Sequence, residues 1–472
     1  MRTHHPACSL LLATITCATI MGAAGAGIAD AGDAPQLHVH AGGRYLSRDD
    51  GSPFFWLGDT AWELFHRLDR SETDLYLADR AAKGFTVIQA VVLAEYGGLT
   101  VPDASGHLPL TDNDPTKPVE AYFQDVDYAV DKAASLGLWI GMLPTWGDKW
   151  NKAWGQGPEI FTAENAGIYG EFLGRRYRDK PVIWILGGDR PMEEKHRGII
   201  NAMAEGLRRG DGGRHLITFH PSGQQHSSQY FQATPWLDFN MVQTGHTFDR
   251  DNFRDIAHDY ALMPAKPTLD GEPGYEDHPS GFKAANGYMT DRDARRFAYW
   301  AVFSGACGHT YGCHDIWQFL APGRTPVTAA RTPWREAINL PGAAQVGYLR
   351  ALVESRPYFT RIPDQGLLQD GPPSPAAHVA VTSDRDAQGH ATMIMAYLPT
   401  SAPATFATSG IRDAELTAWW FDPRSGTATA SATVPNSGTY TTGAPPCAGD
   451  WVVVLEAPSA GYRPPGTVSW RH

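Results

Sequence analysis

Two short stretches place acids where chemistry needs them. VIWILGGDR (Val182 to Arg190) runs five apolar residues into Gly187 and Gly188 and then delivers Asp189. TLDGEPGYE (Thr268 to Glu276) sets Asp270 and Glu272 at period two, on one side of a strand, and Pro273 stops that strand with Glu272 at its rim. Each acid has a plain structural alternative. Asp189, followed by Pro191, Glu193 and Glu194, has the pattern of a helix N-cap. The functional reading keeps that cap and gives the two glycines a use: without side chains they let a substrate approach the backbone closely. Glu272 can be a turn carboxylate. Glu276 is the second choice in that loop, further out, and Asp270 is expected to point inward and be hydrogen-bonded.

A pair of carboxyls facing each other across a pocket is the requirement of glycoside hydrolysis. One protonates the leaving oxygen; the other attacks the anomeric carbon or activates water. A separation of about 5–5.5 Å gives retention and roughly 6.5–9.5 Å inversion. The acid must hold its proton near neutral pH, which burial and the second carboxylate promote.

Residues 189 and 272 meet only if the chain between them is wound appropriately. From PFFWLGDTAW to QVGYLRALVES, strand-like apolar runs alternate with stretches of helical spacing, eight units in all. Eight such units over residues 36–358 predict a (β/α)8 TIM barrel, an α/β fold. The strands end on Asp59, Gln89, Trp146, Asp189, His220, Gln243, Glu272 and His309. The C-terminal ends of the strands build the catalytic face of such a barrel, so Asp189 and Glu272 sit at strands four and seven, across its mouth. In a sugar site Asp59, Trp62, Gln89, Tyr96, Trp146, His220, Gln243, His246 and His309 would bind hydroxyls and stack on rings. Each can equally be packing or turn chemistry.

After Phe359 the texture changes. Short runs (HVAVTSD, TMIMAYL, LTAWWFDP, WVVVLEAP) alternate with Pro, Ser, Thr and Gly turns, which predicts an antiparallel β-sandwich over 359–460 and a loosely held tail over 461–472. The start is different again. Arg2 and two histidines precede an Ala-rich apolar run and then small residues, the pattern of a secretory signal peptide over about residues 1–30, cleaved somewhere between 23 and 34. The expectation is a protein exported to the periplasm or beyond. No later segment reaches the length of a membrane span.

Composition excludes other classes. The 472 residues carry a net charge of −12 with no Lys/Arg run, a poor match to nucleic acid or an anionic membrane. Aromatics make up 11%, including 15 Trp, and flat rings suit sugar faces. Beyond the leader only Cys307, Cys313 and Cys447 remain; the first two are near enough in sequence to bridge, and no C-x-x-C pair suggests structural zinc. A metal-dependent hydrolase on the same barrel would draw on His38 and His40 with His220, His246 and His309, but that H-x-H precedes the first barrel strand. No G-x-S-x-G elbow is present. No cofactor is expected, the partner is a carbohydrate, and oligomeric state is open. A non-catalytic glycan-binding barrel is the competing class.

GRYLSRDDGSPFFWLGDTAWELF, KGFTVIQ, WILGGDR and DGEPGYE together resemble the apiosidase-like family, related to glycoside hydrolase family 140. AWWFDPRSG resembles the small β-sandwich, labelled collagen-binding, that accompanies it. The resemblance covers residues 36–460. It implies a retaining glycoside hydrolase whose acid/base is the aspartate of GGD, here Asp189, and whose nucleophile is the glutamate of GEP, here Glu272. Relatives release apiose from pectic side chains, which implies exo action on plant cell-wall glycans.

Overall fold

The computed structural model describes residues 35–468; the leader read in residues 1–30 and the last four residues lie outside that range. A small antiparallel sheet (Leu37–Val39, Leu46–Arg48, Pro53–Phe54) precedes the barrel. Eight parallel strands follow: β1 (Trp56–Thr60), β2 (Val87–Leu93), β3 (Trp139–Thr145), β4 (Val182–Gly187), β5 (Ile217–His220), β6 (Asn240–Gln243), β7 (Thr268–Asp270) and β8 (Gly308–Tyr311). They pair in the order β5-β4-β3-β2-β1-β8-β7-β6. The seam between β5 and β6 is closed by Asp238 N–H to the Ile217 carbonyl (2.9 Å) and the Thr218 hydroxyl to the Phe239 carbonyl (2.7 Å). All seven residues of β2 and all six of β4 are buried, which is why these strands read as unbroken apolar runs.

Seven long helices cover the barrel: α1 (Arg70–Ala82), α2 (Glu120–Ser135), α3 (Ala163–Tyr177), α4 (Glu194–Asp211), α5 (Asn252–Ala261), α6 (Asp291–Phe303) and α7 (Pro341–Glu354). The strand–helix alternation is broken once. After β5 the chain makes a short strand, Gln225–His226, antiparallel to β6, and then a single turn, Ser228–Phe231. The segment between Pro221 and Pro235 has too few residues for both that strand and a full helix.

The C-terminal region is a two-sheet sandwich. One sheet contains β9 (Arg361–Pro363), β10 (Ala380–Asp384), β11 (Met393–Leu398), β12 (Glu415–Asp422), β13 (Thr427–Pro435) and β14 (Trp451–Glu456), ordered β9-β10-β11-β14-β12-β13. The other joins Leu368–Asp370, Thr405–Ala407 and Thr439–Thr441. Alternation along β11 sorts its side chains. Ile394, Ala396 and Leu398 pack with Phe406 inside the sandwich, whereas Met393, Met395 and Tyr397 join the core of the barrel. Both faces are buried, so TMIMAYL and WVVVLE carry no polar alternation. Tyr299 of α6 stacks on Tyr397 at 4.8 Å, and Trp300 donates to the His378 carbonyl at 2.9 Å. The guanidinium of Arg295 makes two 2.9 Å bonds to Asp450, both side chains almost wholly buried.

One expectation needs correction, and one point that the sequence leaves open is answered. Residues 461–468 are not loose: the Tyr462 hydroxyl lies 2.5 Å from that of Thr392, its ring lies under the Arg356 guanidinium, and Gly466 N–H donates to Ser355 Oγ. Cys307 and Cys313 do not bridge. They stand at opposite ends of extended β8, and both are buried free thiols; burial pushes Cys307 up to about 12. Replacing Asp450 with Ala leaves the Arg295 charge buried without its main partner, a change expected to cost about 3 kcal/mol and visible as a lowered Tm. A Tm equal to that of the wild type would show that this ion pair does not hold the two parts together.

Candidate active site

β4 does not lead straight into its helix. Gly187, Gly188 and Asp189 all take positive φ (93°, 109° and 47°), and α4 begins only at Glu194 behind Glu193. Asp189 therefore caps no helix. The left-handed turn instead swings its side chain toward the barrel mouth, and a non-glycine residue in that conformation stores strain of the kind found at functional sites. The glycines have a different use from the one expected. A Cβ on Gly187 would lie 2.3 Å from the His220 carbonyl, and one on Gly188 would lie 2.7 Å from the Gly147 nitrogen. They admit the neighbouring strand ends, not a sugar. Gly188 N–H donates to the His220 carbonyl (3.1 Å), and its own carbonyl accepts from Gly147 N–H (3.0 Å).

Asp189 and Glu272 line one cavity of about 590 Å³, in the usual size range of small-molecule sites. The segments after all eight strands contribute to its wall: Trp62, Tyr96, Trp146, Ser222, His246, Tyr275 and Trp317 stand among the residues around the two acids. Trp62 and Trp146 meet at 5.1 Å, and Tyr96 and Trp317 at 5.8 Å. Glu272 is fixed from two sides, with His246 Nε2 3.0 Å from Oε1 and His220 Nε2 3.0 Å from Oε2. Asp189 Oδ1 accepts from Gly223 N–H at 3.3 Å, and Arg190 Nη1 lies 3.3 Å from Oδ2.

These surroundings drive the two carboxyls apart. Burial raises Asp189, the negative charge of Glu272 raises it further, and Arg190 and His220 oppose only in part, leaving it at about 6. Burial would raise Glu272 as well, but the His220 imidazole in close contact and the hydrogen bond with His246 outweigh it and hold the carboxyl down at about 2. One facing acid keeps its proton in mildly acidic solution while the other is ionised.

The structure brings together Asp189, Glu272, Trp62, Tyr96, Trp146, Gln243 and His246 around the cavity. His220 stands behind Glu272, wholly buried, and touches the acid instead of the cavity. With His220, four of the expected substrate contacts do not reach the cavity. Asp59 is sealed beneath the barrel rim, bound by the Tyr76 hydroxyl (2.5 Å) and ion-paired with buried Arg80. Gln89 donates inside the barrel to the Gly271 carbonyl at 3.0 Å. His309 is buried on β8, pushed down to about 3 by burial. A strand's last polar residue can point into the barrel or between strand and helix as readily as into the mouth. Glu276 turns away, accepting from the Tyr311 hydroxyl (2.5 Å) and Gly342 N–H (3.3 Å), and Asp270 is held by Thr244 and Asn252. Glu95, Arg190, Trp154, Tyr275, His278 and His314 also line the cavity and were not anticipated. Except for His314, which opens a single helical turn (His314–Trp317), they lie in irregular loops, where spacing carries no signal, although Arg190 and Tyr275 sit within the two acid-bearing motifs.

Of the histidines weighed for a metal site, His220 and His246 meet on Glu272, and the others stand apart. His38 pairs with Asp49, and His40 stacks on Phe359. Among the described residues, the groups at ligand spacing are His226, His258 and Asp259, and Asp103, His107 and Asp125, all outside the cavity.

A family model described as "Apiosidase-like, catalytic domain" matches residues 40–360. The chain belongs to the apiosidase-like family. A second model, "Putative collagen-binding domain of a collagenase", matches residues 362–456. A solved structure named "Glycoside hydrolase" is 34% identical, with 90% of this chain and 97% of that chain aligned at a TM-score of 0.82. A glycoside hydrolase family 5 structure from Bacteroides vulgatus is 32% identical, with 90% and 94% covered and the same TM-score. No curated protein matches the sequence. Membership of this family makes the chain a glycoside hydrolase with a TIM-type barrel and a C-terminal antiparallel β domain.

Gly188→Ala tests the turn that aims Asp189. The new Cβ must displace the Gly147 backbone at a φ that L-residues avoid, so activity is expected to fall at least tenfold with Tm lowered. Wild-type kcat/KM in that variant would mean that the turn does not set the acid's position.

Proposed function

We propose that this chain is an exported, retaining glycoside hydrolase that removes terminal sugars from side chains of plant cell-wall (pectic) glycans, in the manner of an apiosidase. The observation that carries the reading is the opposed ionisation of two carboxyls on one cavity, Asp189 up to about 6 and Glu272 down to about 2. Asp189 then protonates the glycosidic oxygen while Glu272 attacks the anomeric carbon, forming a glycosyl ester. Asp189 next takes a proton from water, which attacks the same carbon and releases Glu272. Retention rests on the resemblance of the GGD and GEP motifs, and an ionised Glu272 is able to act as the nucleophile.

Exo action follows the resemblance of the motifs, and segments after all eight strands contribute to the wall around the acids. Trp62 and Trp146 offer faces for the C–H surface of a sugar, and Gln243 and His246 offer polar contacts. The pectic substrate rests on the family's name and on the resemblance of the motifs. Export rests on the signal-peptide pattern of the first thirty or so residues. The chemistry calls for no cofactor.

Asp189→Asn and Glu272→Gln are each expected to lower kcat roughly a hundred- to ten-thousand-fold on a pectic oligosaccharide with a terminal apiosyl group, with the fold retained by circular dichroism. Near-wild-type turnover in either variant, or glycan binding without turnover in the wild type, would overturn the reading. The pH dependence has a definite sign. Because Asp189 must be protonated and Glu272 ionised, kcat/KM falls as pH rises through about 6 and holds down toward about 2 while the fold survives. A profile that rises with pH through 6 to 8 would contradict the assignment, as would loss of activity on treatment with a chelator.

A further inference from the structure

A third carboxylate stands on the same cavity without a task. Glu95, in the loop after β2, keeps a side-chain exposure of 16% and is bonded to Arg190 Nη2. Arg190 is 1% exposed and is shared: its Nη1 donates to the Asp189 carbonyl at 2.6 Å and lies 3.3 Å from Asp189 Oδ2. The exposed ring of Trp154 covers the guanidinium at 4.9 Å. One buried cation is thus divided between two carboxyls, and its tighter contact is to Glu95.

We propose that Glu95 is a positioning residue for the acid/base: by engaging Arg190 it withholds the guanidinium from Asp189 and so keeps the proton on Asp189. This inference rests on the reading of Asp189 as the acid/base. A guanidinium turned fully onto a carboxylate lowers it by about one to three units, enough to discharge an acid that must donate its proton near pH 6. Two effects of Glu95 have the same sign. It occupies Arg190, and its own negative charge, when present, further disfavours ionisation of Asp189. The other charged and polar groups facing Asp189 are Glu272 from β7, His220 from β5 and Gln243 from β6. Those facing Glu95 are Arg190, Asp148 and Asp189. Asp148 is itself neutralised by Lys149 at 2.8 Å and bound by Gly157 N–H at 2.7 Å, so it is not free to replace Glu95 as the partner of Arg190. Burial raises Glu95, opposed by Arg190 and reinforced by Asp148 and Asp189, and its contact with Arg190 is the one that the proposal rests on.

The deciding readout needs no substrate. The full chain is labelled with ¹³C at the aspartate side-chain carboxyl, and the Asp189 resonance is identified by its absence in Asp189→Asn. In Glu95→Gln the Asp189 titration midpoint is expected to fall by about one unit. In Glu95→Asp, which keeps the charge and shortens the reach, it falls by less. The alkaline limb of kcat/KM on the pectic oligosaccharide moves with it, a displacement that a purely structural role of Glu95 would not produce. An unchanged or higher midpoint in Glu95→Gln overturns the inference. If Glu95→Gln does not fold, Glu95→Asp decides alone, a fall supporting the proposal and no fall overturning it. Failure of the underlying reading is separate: it would show as activity surviving in Asp189→Asn, whatever the titration gives.

Discussion

A carboxylate removed from water stays charged only if hydrogen-bond donors replace the water it has lost, and Glu272 is held in that condition by two imidazoles. His246, in the loop after β6, and His220, at the end of β5, reach its two oxygens, so three neighbouring strand ends must be placed together for the charge to be stable. The rest of the site follows from that charge. Glu272 raises Asp189 across the cavity, and Asp189, already disfavoured as an anion by burial, keeps its proton. Two residues of the same acidic chemistry are driven to opposite protonation by their surroundings. The divided guanidinium of Arg190 belongs to the same balance, since a cation committed wholly to Asp189 would undo it.

The scaffold has the rigidity such an arrangement demands. β2 and β4 are buried along their whole lengths, and the Gly187–Gly188 turn is locked between the backbones of His220 and Gly147. The sandwich is not a loose appendage on this scaffold. Its larger sheet presents Met393, Met395 and Tyr397 to the barrel and Ile394, Ala396 and Leu398 to its own second sheet, with Arg295 and Asp450 pinning the junction. It packs against helix α6, whereas the acids stand among the loops at the strand ends, so its direct contribution is to stability and not to chemistry.

Much of this was legible in the sequence because barrels repeat. The apolar runs and the helical spacing between them marked the eight strands, and the motifs GGD and GEP placed Asp189 and Glu272 on the same mouth. Side-chain direction at a strand end was not legible. Asp59, Gln89 and His309 looked like Asp189 in one dimension, yet each points into the interior. For Asp59 a sign was present: Tyr76 and Arg80 stand four residues apart on the buried face of α1, and a buried arginine requires a buried acid. Between β5 and β6 the sequence reads as a loop without a helix, and the structure places a two-residue strand and a single turn there. Glu95 and Trp154 come from loops whose path only three-dimensional packing decides. The use of the two glycines was misjudged for a related reason, because sequence shows that space is needed but not what fills it.

The central claim is that Glu272 forms a covalent bond to the sugar while Asp189 handles the proton. The most direct test is to trap that intermediate with a 2-deoxy-2-fluoro glycosyl fluoride of the released sugar and map the modified peptide by mass spectrometry. The account predicts a single adduct on Glu272, accumulating with time and discharged by an acceptor alcohol to a product of retained configuration. An adduct on another residue, or hydrolysis of the fluoride with inversion and no adduct, would contradict it.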